Sequence, residues 1–344
     1  MDDIKIVKYQ KSDYPKFRDF VRLAFQPKYI LGDEKFLDWQ YASPGGVLFL
    51  AKRGEEITGF FGYRDFSYKV YGEVKNVRAV MNLFADEKYR MAGVGPMLAR
   101  KVFDTPNYVL VSSYNDAAQK LYRHLRPDWR EAGDFNRYFA VLAPYKLMEG
   151  LNVPHGKEFS SLSLRGRIEV GDISKIGQEF DDFWQKARAR YPVTIERSSE
   201  YLKWRYSAHP FFDYQILAAR QSEGLRGFLV YRIEEADGFK IARIIDFVAD
   251  QSAEVALLQE FLQRAKDAGA QAADFMFSGS LYKEPLGTVG FFDVAGTDFV
   301  KFPIRFNPLS YSKFVINIAY DIPAPLKDVY LTKGDSDQDR PNPH

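Results

Sequence analysis

The 344-residue sequence predicts an α/β protein that contains two copies of one fold. Apolar segments with strand-like alternation are interspersed with helical segments, which is the element pattern of the α/β class. Several short segments also recur in the same order at offsets of about 165 residues. A repeat of that length indicates duplicated domains rather than a solenoid.

The repeat rests on segments from both halves of the chain. The matched pairs are residues 36–44 with 201–210, 59–64 with 227–232, and 84–86 with 248–250. We therefore expect the same element order in each copy, with small insertions between the matches.

Each predicted copy starts with a strand and a helix, and three alternating strands follow. The strands at 58–66 and 226–234 each begin near a glycine and end in Tyr-Arg and polar residues, as half-buried strands do. A helix, a strand, a short helix and a last strand complete the copy. In the first copy the strands are 4–9, 48–51, 58–66, 74–85, 108–112 and 135–142, with helices at 14–25 and 96–103. In the second they are 167–170, 214–220, 226–234, 240–250, 272–277 and 300–306, with helices at 176–188 and 253–268.

These elements predict where the domains begin and end. The first domain is residues 1–148 and the second is residues 161–310, with a linker at 149–160 that contains proline and glycine. Residues 311–344 form a C-terminal extension. Its end, 334–344, is polar with two prolines and is expected to be disordered.

The most specific chemical signal is the turn Tyr-Arg-Met-Ala-Gly-Val-Gly at residues 89–95. It follows a buried strand and leads into a helix that has Pro96 in its first turn. Glycines let the backbone approach a ligand, and a helix N-terminus favours an anion. A Walker loop ends in Gly-Lys-Ser/Thr, and it is excluded here because Pro96-Met97 follow Gly95. The match to a dinucleotide-binding fingerprint is weak, because Leu98 occupies the position of its third glycine.

The remaining match is Arg/Gln-x-x-Gly-x-Gly/Ala, the pyrophosphate loop of acyl-CoA N-acyltransferases. The sequence resembles this GNAT superfamily, and residues 115–122 also fit its second landmark, Asn-x-x-Ala-x-x-Leu-Tyr. The resemblance covers most of the chain and implies two tandem GNAT-like domains, each a mixed, mostly antiparallel twisted sheet flanked by helices. It further implies that acyl-CoA, with an acetyl or a longer acyl group, is bound by Phe84, Ala85, Arg90, Met91, Ala92, Gly93, Val94, Gly95, Pro96, Asn115 and Tyr122.

The resemblance also suggests catalytic groups. A backbone N–H from Phe84 or Ala85 would meet the oxyanion, and Tyr122 would protonate the leaving thiolate. Many relatives place a glutamate base in the strand before the loop, but residues 77–85 contain no carboxylate. Asp246, which corresponds to Asn82 in the first copy, is one candidate base. Other candidate bases are His124 and a water molecule held by Asn82.

The second copy lacks the glycine turn. Its strand passes from Asp250 through two residues directly into the next helix, so we expect CoA in the first copy only. The aromatic residues of the repeated Leu-x-Trp-x-Tyr segments are candidate acceptor-binding groups: Trp39, Tyr41, Trp204 and Tyr206. Similar segments occur in tandem relatives that acylate amino sugars, often nucleotide-linked, and four arginines could meet a diphosphate: Arg64, Arg78, Arg205 and Arg232. The alternative is that the aromatic residues are repeated core anchors.

Composition restricts the partners. The 48 basic and 46 acidic residues nearly balance, which argues against nucleic acid. There is no cysteine, and the four histidines have no ligand-like spacing, so we expect no metal. No apolar run is long enough to span a bilayer, and the acidic N-terminus is unlike a signal peptide, so a cytoplasmic protein is expected. We expect it to be a monomer or a homodimer.

The predicted function is therefore transfer of an acyl group from CoA to a small-molecule amine. The best candidate acceptor is a nucleotide-linked amino sugar for surface polysaccharide. Three alternatives remain open: another amine acceptor, an aminoacyl-tRNA-dependent transferase of the peptidoglycan-bridge type, and a non-catalytic acyl-CoA-binding protein.

Overall fold

The computed structural model describes residues 3–25, 28–153, 168–173, 175–222, 224–306, 309–310 and 315–341. The strands are β1 (Ile4–Lys8), β2 (Gly46–Arg53), β3 (Glu56–Val70), β4 (Glu73–Ala85), β5 (Tyr108–Ser112), β6 (Arg130–Asp134), β7 (Asn136–Val141), β8 (Glu169–Asp172), β9 (Val193–Ile195), β10 (Gln215–Gln221), β11 (Gly224–Ala236), β12 (Phe239–Ala249), β13 (Ala272–Phe277), β14 (Phe292–Asp293), β15 (Arg305–Phe306), β16 (Leu309–Ser310), β17 (Asn317–Tyr320) and β18 (Val329–Tyr330). The helices are α1 (Tyr14–Ala24), α2 (Glu34–Leu37), α3 (Val94–Phe103), α4 (Asp116–Leu125), α5 (Gln178–Ala187), α6 (Ser199–Leu202), α7 (Glu254–Asp267) and α8 (Lys283–Thr288).

The chain divides into two compact units. The first unit comprises Met1–Gly133, Ile316–Ala324 and Ser336–His344, and the second comprises Asp134–Val315 and Pro325–Asp335. This division differs from the predicted one, because C-terminal segments alternate between the units. Most of the predicted linker, residues 154–160, lies outside the described residues.

Each unit is built on a mixed sheet, and both sheets have the same strand order. In the first unit the order is β1-β2-β3-β4-β5-β17-β6, and in the second it is β8-β10-β11-β12-β13-β7-β14. The pairs β4–β5 and β12–β13 are parallel, whereas β1–β2, β2–β3 and β3–β4 and their counterparts are antiparallel. The predicted fold class, α/β with mixed and mostly antiparallel sheets flanked by helices, is confirmed.

The last strand of each predicted copy is the main correction. Residues 135–142 were expected to end the first sheet, but β7 pairs with β13 in the second unit. The place beside β5 is taken by β17 from the C-terminal part of the chain. Residues 300–306 were expected to end the second sheet, yet only β15 is a strand there, and it pairs with β16 in a separate ribbon. Strand edges pair through backbone groups, so an apolar strand pattern does not specify which edge it joins.

The C-terminal end is a second correction. Residues 334–341 were expected to be disordered, but Asp335 and Asp339 are buried in the structure. The side chain of Arg340 donates hydrogen bonds to Asn82 and Tyr29. These contacts satisfy the polar groups that made the segment look unfolded from composition alone. Residues 342–344 lie outside the described part of the chain.

The sheet of the first unit is covered on both faces. Phe60 of β3 packs with α1 and α2 through Phe17 and Leu37. The neighbouring Phe61 points to the opposite face and packs with Leu98 of α3. This alternation follows from the two-residue period of a strand and places α3 against the end of β4. Among the described helices, none is long and apolar enough to cross a membrane.

Candidate functional site

Strand β4 separates from β5 at its C-terminal end. The parallel register runs from Val77 with Tyr108 to Val80 with Val111, and no described strand continues it alongside residues 81–85. A β-bulge begins at the same point, because Gly62 of β3 lies opposite Met81 while Phe60 lies opposite Phe84. The extra residue is accommodated at Asn82, whose φ is +64°. The end of β4 is therefore an exposed backbone edge.

The hydrogen-bond alternation identifies which groups face that edge. The N–H of Asp86 donates to the carbonyl of Thr58 on β3 at 2.9 Å. In an antiparallel ladder every second residue bonds the same partner, so Phe84 also faces β3. Leu83 and Ala85 direct their backbone groups toward the open side. Of the two predicted oxyanion donors, the geometry therefore favours Ala85 and excludes the N–H of Phe84.

The predicted anion turn is presented to solvent. Residues Glu87–Ala92 form a 3₁₀ helix, Gly93 has φ +76°, and α3 starts at Val94. The first intrahelical hydrogen bond runs from the N–H of Met97 to the carbonyl of Gly93 at 3.0 Å. The N–H groups of Val94 and Gly95 precede that bond and are the orphan donors of the helix start. A Cβ on Gly93 or Gly95 would meet no atom within 4 Å, so the space above them is open.

The side chains of the turn are mostly exposed. Arg90 is paired with Glu87 at 3.2 Å on the surface, and Met91, Ala92 and Pro96 are also exposed. Val94 is buried and anchors the helix. The turn thus offers backbone donors to a ligand and uses Val94 as its single apolar anchor among these residues.

Close packing brings the helix start to the end of β4. An added Cβ on Gly59 would lie 2.7 Å from the carbonyl oxygen of Phe84 and 2.8 Å from Cγ1 of Val94. Only glycine fits between these atoms, because real Cβ contacts of that length are not tolerated. The open backbone edge and the anion turn are therefore neighbours in one site.

The second landmark forms helix α4. Asn115 caps the helix, and its Oδ1 accepts a hydrogen bond from the N–H of Ala118 at 2.9 Å. Tyr122 is buried, and its ring stacks on Phe103 with a centroid distance of 4.8 Å. Burial raises the pKa of Tyr122 well above its usual value, so the hydroxyl keeps its proton at neutral pH. Its predicted role as an acid remains a prediction.

The repeated aromatic segments are mainly core anchors. In each unit a short helix continues into a π-helical turn that carries the tyrosine. Tyr41 is 5 % exposed, and its hydroxyl accepts a hydrogen bond from Nδ2 of Asn82 at 2.8 Å. Tyr206 is 3 % exposed and donates to Oδ2 of Asp246 at 3.1 Å. This burial counts against a substrate-binding role for Tyr41 and Tyr206, which stays a prediction. Trp39 and Trp204 are half-buried, and their role also stays a prediction.

The four arginines suggested for a diphosphate are buried and engaged. Arg64 donates to the carbonyl of Gln40, within the first π-helical turn, and to that of Pro44, just after it. Arg78 makes a two-point pair with Asp65. The other two bind within the second unit, where Arg205 donates to the carbonyl of Gly334 and Arg232 pairs with Glu234. A nucleotide diphosphate cannot reach these guanidiniums without breaking the fold.

Asp246 is the repeat counterpart of Asn82 and lies next to a bulge of β12 at Ile245, but it is fully buried. Its two oxygens accept from Nε of Arg197 at 3.1 Å, and Tyr206 and the N–H of Phe247 also donate to it. Burial raises the pKa of Asp246 to about 6, although Arg197 opposes the shift. A carboxylate with no solvent exposure and several donors is a structural group, so the geometry counts against its predicted role as general base.

The open edge found in the first unit is closed in the second. There the N–H of Ala249 donates to the hydroxyl of Tyr282 at 3.1 Å, and the hydroxyl of Tyr330 donates to the carbonyl of Phe247 at 2.5 Å. Phe247 and Ala249 are the repeat counterparts of Leu83 and Ala85. Side chains therefore occupy the edge that β4 leaves open.

A cavity of about 750 Å³ lies beside the end of β4 in the first unit. Phe20, Leu23 and Phe84 contribute its apolar wall. Five carboxylates and three cationic side chains complete the lining, so its rim carries a negative excess. Across the described ranges, no three histidine or carboxylate side chains are grouped as metal ligands.

Sequence reasoning missed one part of this site. Arg340 and Asp337, from the C-terminal segment, lie at the Asn82 bulge. The local sequence gives little signal for them, because a polar segment with two prolines is typical of disorder. The one local signal in the sequence is an acidic residue, Asp337, three positions before a basic one, Arg340.

No protein-family model and no curated protein matches the sequence. Solved structures match it over nearly its whole length. A probable N-acyltransferase from Enterococcus faecalis is 11% identical with a TM-score of 0.63, over 94% of this chain and 73% of the other. A GCN5-related N-acetyltransferase from Kribbella flavida is 15% identical with a TM-score of 0.63, over 93% and 71%. A GCN5-related glucosamine N-acetyltransferase region of a fungal multi-domain β-N-acetylglucosaminidase is 12% identical with a TM-score of 0.58, over 93% and 38%. The chain has the fold of the GCN5-related N-acetyltransferases.

Proposed function

We propose that the protein is an acyl-CoA-dependent N-acyltransferase whose donor site lies in the first unit. The observation that carries this proposal is the exposed backbone edge at Leu83 and Ala85, directly beside the free N-terminus of α3. An extended ligand with amide groups can pair with such an edge, and a diphosphate suits such a helix start. The pantetheine arm and pyrophosphate of CoA have these two features in one molecule.

The donor site can stabilise the transition state with its own backbone. The acceptor amine attacks the thioester carbonyl carbon, and the carbonyl oxygen becomes an oxyanion that the N–H of Ala85 faces. The C–S bond then breaks, the new C–N bond is retained, and the thiolate takes a proton from Tyr122. The amine loses its proton to water, since residues 77–85 contain no carboxylate and both ends of the Asn82 amide are already engaged.

The acceptor is proposed to be a small amine that enters the cavity beside Phe84. Its negative rim suits an ammonium group on approach, and its apolar wall suits the rest of the acceptor. An amino sugar remains our first candidate, supported by the likeness to the fungal glucosamine N-acetyltransferase region. The nucleotide-linked form has lost its support, because the arginines proposed for the diphosphate are engaged within the fold.

We propose a structural role for the second unit. Its sequence lacks the glycine turn, and Tyr282 and Tyr330 occupy the strand edge that a pantetheine arm would need. The N–H of Ala249 and the carbonyl of Phe247, with which such an arm would pair, are thus satisfied internally there.

The test is calorimetric titration of CoA and acetyl-CoA into wild type and the Gly93→Trp variant. The matched control is Gly72→Trp, because Gly72 also has positive φ and open space but lies in the turn between β3 and β4. We expect binding to wild type and to the control, and none to Gly93→Trp. Turnover is then measured on a panel of amines with a thiol reagent, which gives no protein background because the sequence has no cysteine.

Each outcome separates the alternatives. No CoA binding to wild type would refute the proposal and favour the aminoacyl-tRNA-dependent transferase. Tight CoA binding without turnover on any amine would favour a non-catalytic acyl-CoA-binding protein. Turnover on polyamines or peptides but not on amino sugars would keep the reaction and replace the acceptor.

A further inference from the structure

The C-terminal segment 336–341 of the first unit joins the two strands that separate at the candidate donor site. Nε2 of Gln338 donates to the carbonyl of Ser112 at the end of β5, at 3.5 Å. Nη1 of Arg340 donates to Oδ1 of Asn82 at the bulge of β4, at 2.5 Å. The segment therefore spans the opening between the ends of β4 and β5.

The guanidinium of Arg340 is held from three sides. Besides Asn82, it donates to Oδ2 of Asp337 at 3.1 Å and to the hydroxyl of Tyr29 at 2.8 Å. Gln338 in turn donates to the other oxygen of Asp337 at 2.9 Å. The side chains of Arg340 and Asp337 are 12% and 9% exposed, so the pair is largely withdrawn from water. A bound guanidinium with this many partners has one fixed position.

Asn82 is fixed at both ends of its amide. Its oxygen accepts from Arg340, and its nitrogen donates to the hydroxyl of Tyr41 at 2.8 Å. The residue holds a left-handed backbone conformation that side chains other than asparagine rarely adopt. That conformation forms the bulge and sets the direction of the backbone groups at Leu83 and Ala85.

The second unit has a similar arrangement on different residues. Next to the bulge of β12, whose extra residue is Ile245, Asp246 is bound by the guanidinium of Arg197 and by the hydroxyl of Tyr206. Tyr206 is the repeat counterpart of Tyr41, but Arg197 has no repeat relation to Arg340, because it lies before the aromatic segment rather than in a C-terminal segment. Each unit thus supplies a guanidinium, from an unrelated position, to the same repeat position beside a β-bulge.

We propose that Arg340 is a positioning residue for acyl transfer: through Asn82 it fixes the β4 bulge and so aims the N–H of Ala85 at the thioester oxygen. The inference rests on the proposed function of the donor site. It predicts that loss of the guanidinium slows the chemical step more than it weakens CoA binding, because the pyrophosphate donors at Val94 and Gly95 are separate from the bulge.

The test compares Arg340→Gln and Arg340→Lys with Arg126→Gln in the full chain. Arg126 is a matched control, since it is also largely buried in the first unit and binds the carbonyl of Thr105 and the carboxylate of Asp321. We expect Arg340→Gln to lower kcat at least tenfold and to raise the Kd for CoA by a smaller factor, because the pyrophosphate donors are kept. Arg340→Lys should recover part of kcat. Arg126→Gln should lower Tm without changing kcat more than twofold.

The Asn82→Gly variant tests whether Arg340 acts on the donor site through Asn82. Glycine tolerates the left-handed conformation but has no amide for Arg340 to hold. In Asn82→Gly, adding Arg340→Gln should therefore change kcat less than twofold. Hydrogen exchange of the peptide covering residues 81–86 gives a readout without turnover, and Arg340→Gln should speed that exchange.

Three results would overturn the inference. The first is a kcat for Arg340→Gln within twofold of wild type. The second is a higher kcat when the chain is stopped after Asp335, which would show that the segment blocks the site. The third is unchanged exchange in residues 81–86. A wild type that binds no CoA would instead refute the proposed function, and the exchange measurement would still report whether Arg340 fixes the bulge.

Discussion

Replacing Gly95 by leucine, a larger residue than the alanine that the motif also allows here, separates what a bound pyrophosphate needs from what the fold needs. A Cβ at this position meets no atom within 4 Å, and the backbone is not left-handed. The residue is the second in α3 and lies directly before Pro96. Leucine is favoured over glycine in a helix by roughly 0.8 kcal/mol, whereas the following proline ring disfavours a helical residue before it. We expect these effects to offset, so the free energy of unfolding changes by less than about 1 kcal/mol.

The ligand has no such tolerance. A hydrogen bond to a charged group contributes about 1.5–3 kcal/mol, and about 1.4 kcal/mol corresponds to a tenfold change in affinity. If the leucine side chain holds the pyrophosphate away from one N–H of the helix start, the Kd for CoA rises about 10- to 150-fold. Calorimetric titration gives the Kd, and thermal unfolding of the same preparation gives the stability.

Gly72→Leu is the matched comparison. Gly72 has φ +95° and open space, so leucine there is strained by about 1–2 kcal/mol but lies far from the helix start in the sequence. It should lower Tm and leave the Kd for CoA unchanged. The reasoning fails if Gly95→Leu binds CoA as wild type does, or if Gly72→Leu weakens binding equally.

Two further predictions concern titratable groups. Tyr122→Phe should keep the stacking on Phe103 and the affinity for acyl-CoA but lower kcat. Because burial raises the pKa of Tyr122, ionisation of this residue should not lower the wild-type rate up to about pH 10, which a pH–rate profile measures. Burial alone would raise the pKa of Asp274, but the guanidiniums of Arg243 and Arg137 outweigh it and hold that pKa well below its usual value. The stability that the ionised Asp274 carboxylate contributes is present above about pH 4 and is lost as the pH falls. Asp274→Asn should therefore lower the free energy of unfolding in urea by about 3–5 kcal/mol at pH 7 and by clearly less at pH 2. An equal loss at pH 7 and pH 2 would contradict the ion pairing of Asp274 with the two arginines.

Local patterns predicted the elements well because strand alternation and helix starts are set by neighbouring residues. The strand expected at 74–85 is β4 within one residue, and the turn after it leads into α3 as expected. The sequence could not predict that β7 joins the second sheet and β17 the first, because both strands carry similar apolar patterns and either sheet edge accepts them.

The candidate site divides in the same way. Its anion turn is local, and glycine spacing revealed it. The contacts at Asn82 are not local, because Tyr41 is 41 positions away and Arg340 is 258 positions away. The aromatic segment predicts that Tyr41 matters, but its burial against the sheet depends on residues far away in the sequence.

The strand exchange has a consequence for how the protein is made. The antiparallel partner of β5 is β17, and Asn317 bonds Tyr114 across 203 positions. Translation adds about 5–20 residues per second, so the first sheet waits many seconds for its inner strand while the edge of β5 stays open to other chains. A fragment ending in the linker would keep that open edge and should aggregate. Adding Ile316–Ala324 to its end supplies the missing strand, and soluble yield of the two fragments measures how much the delay matters.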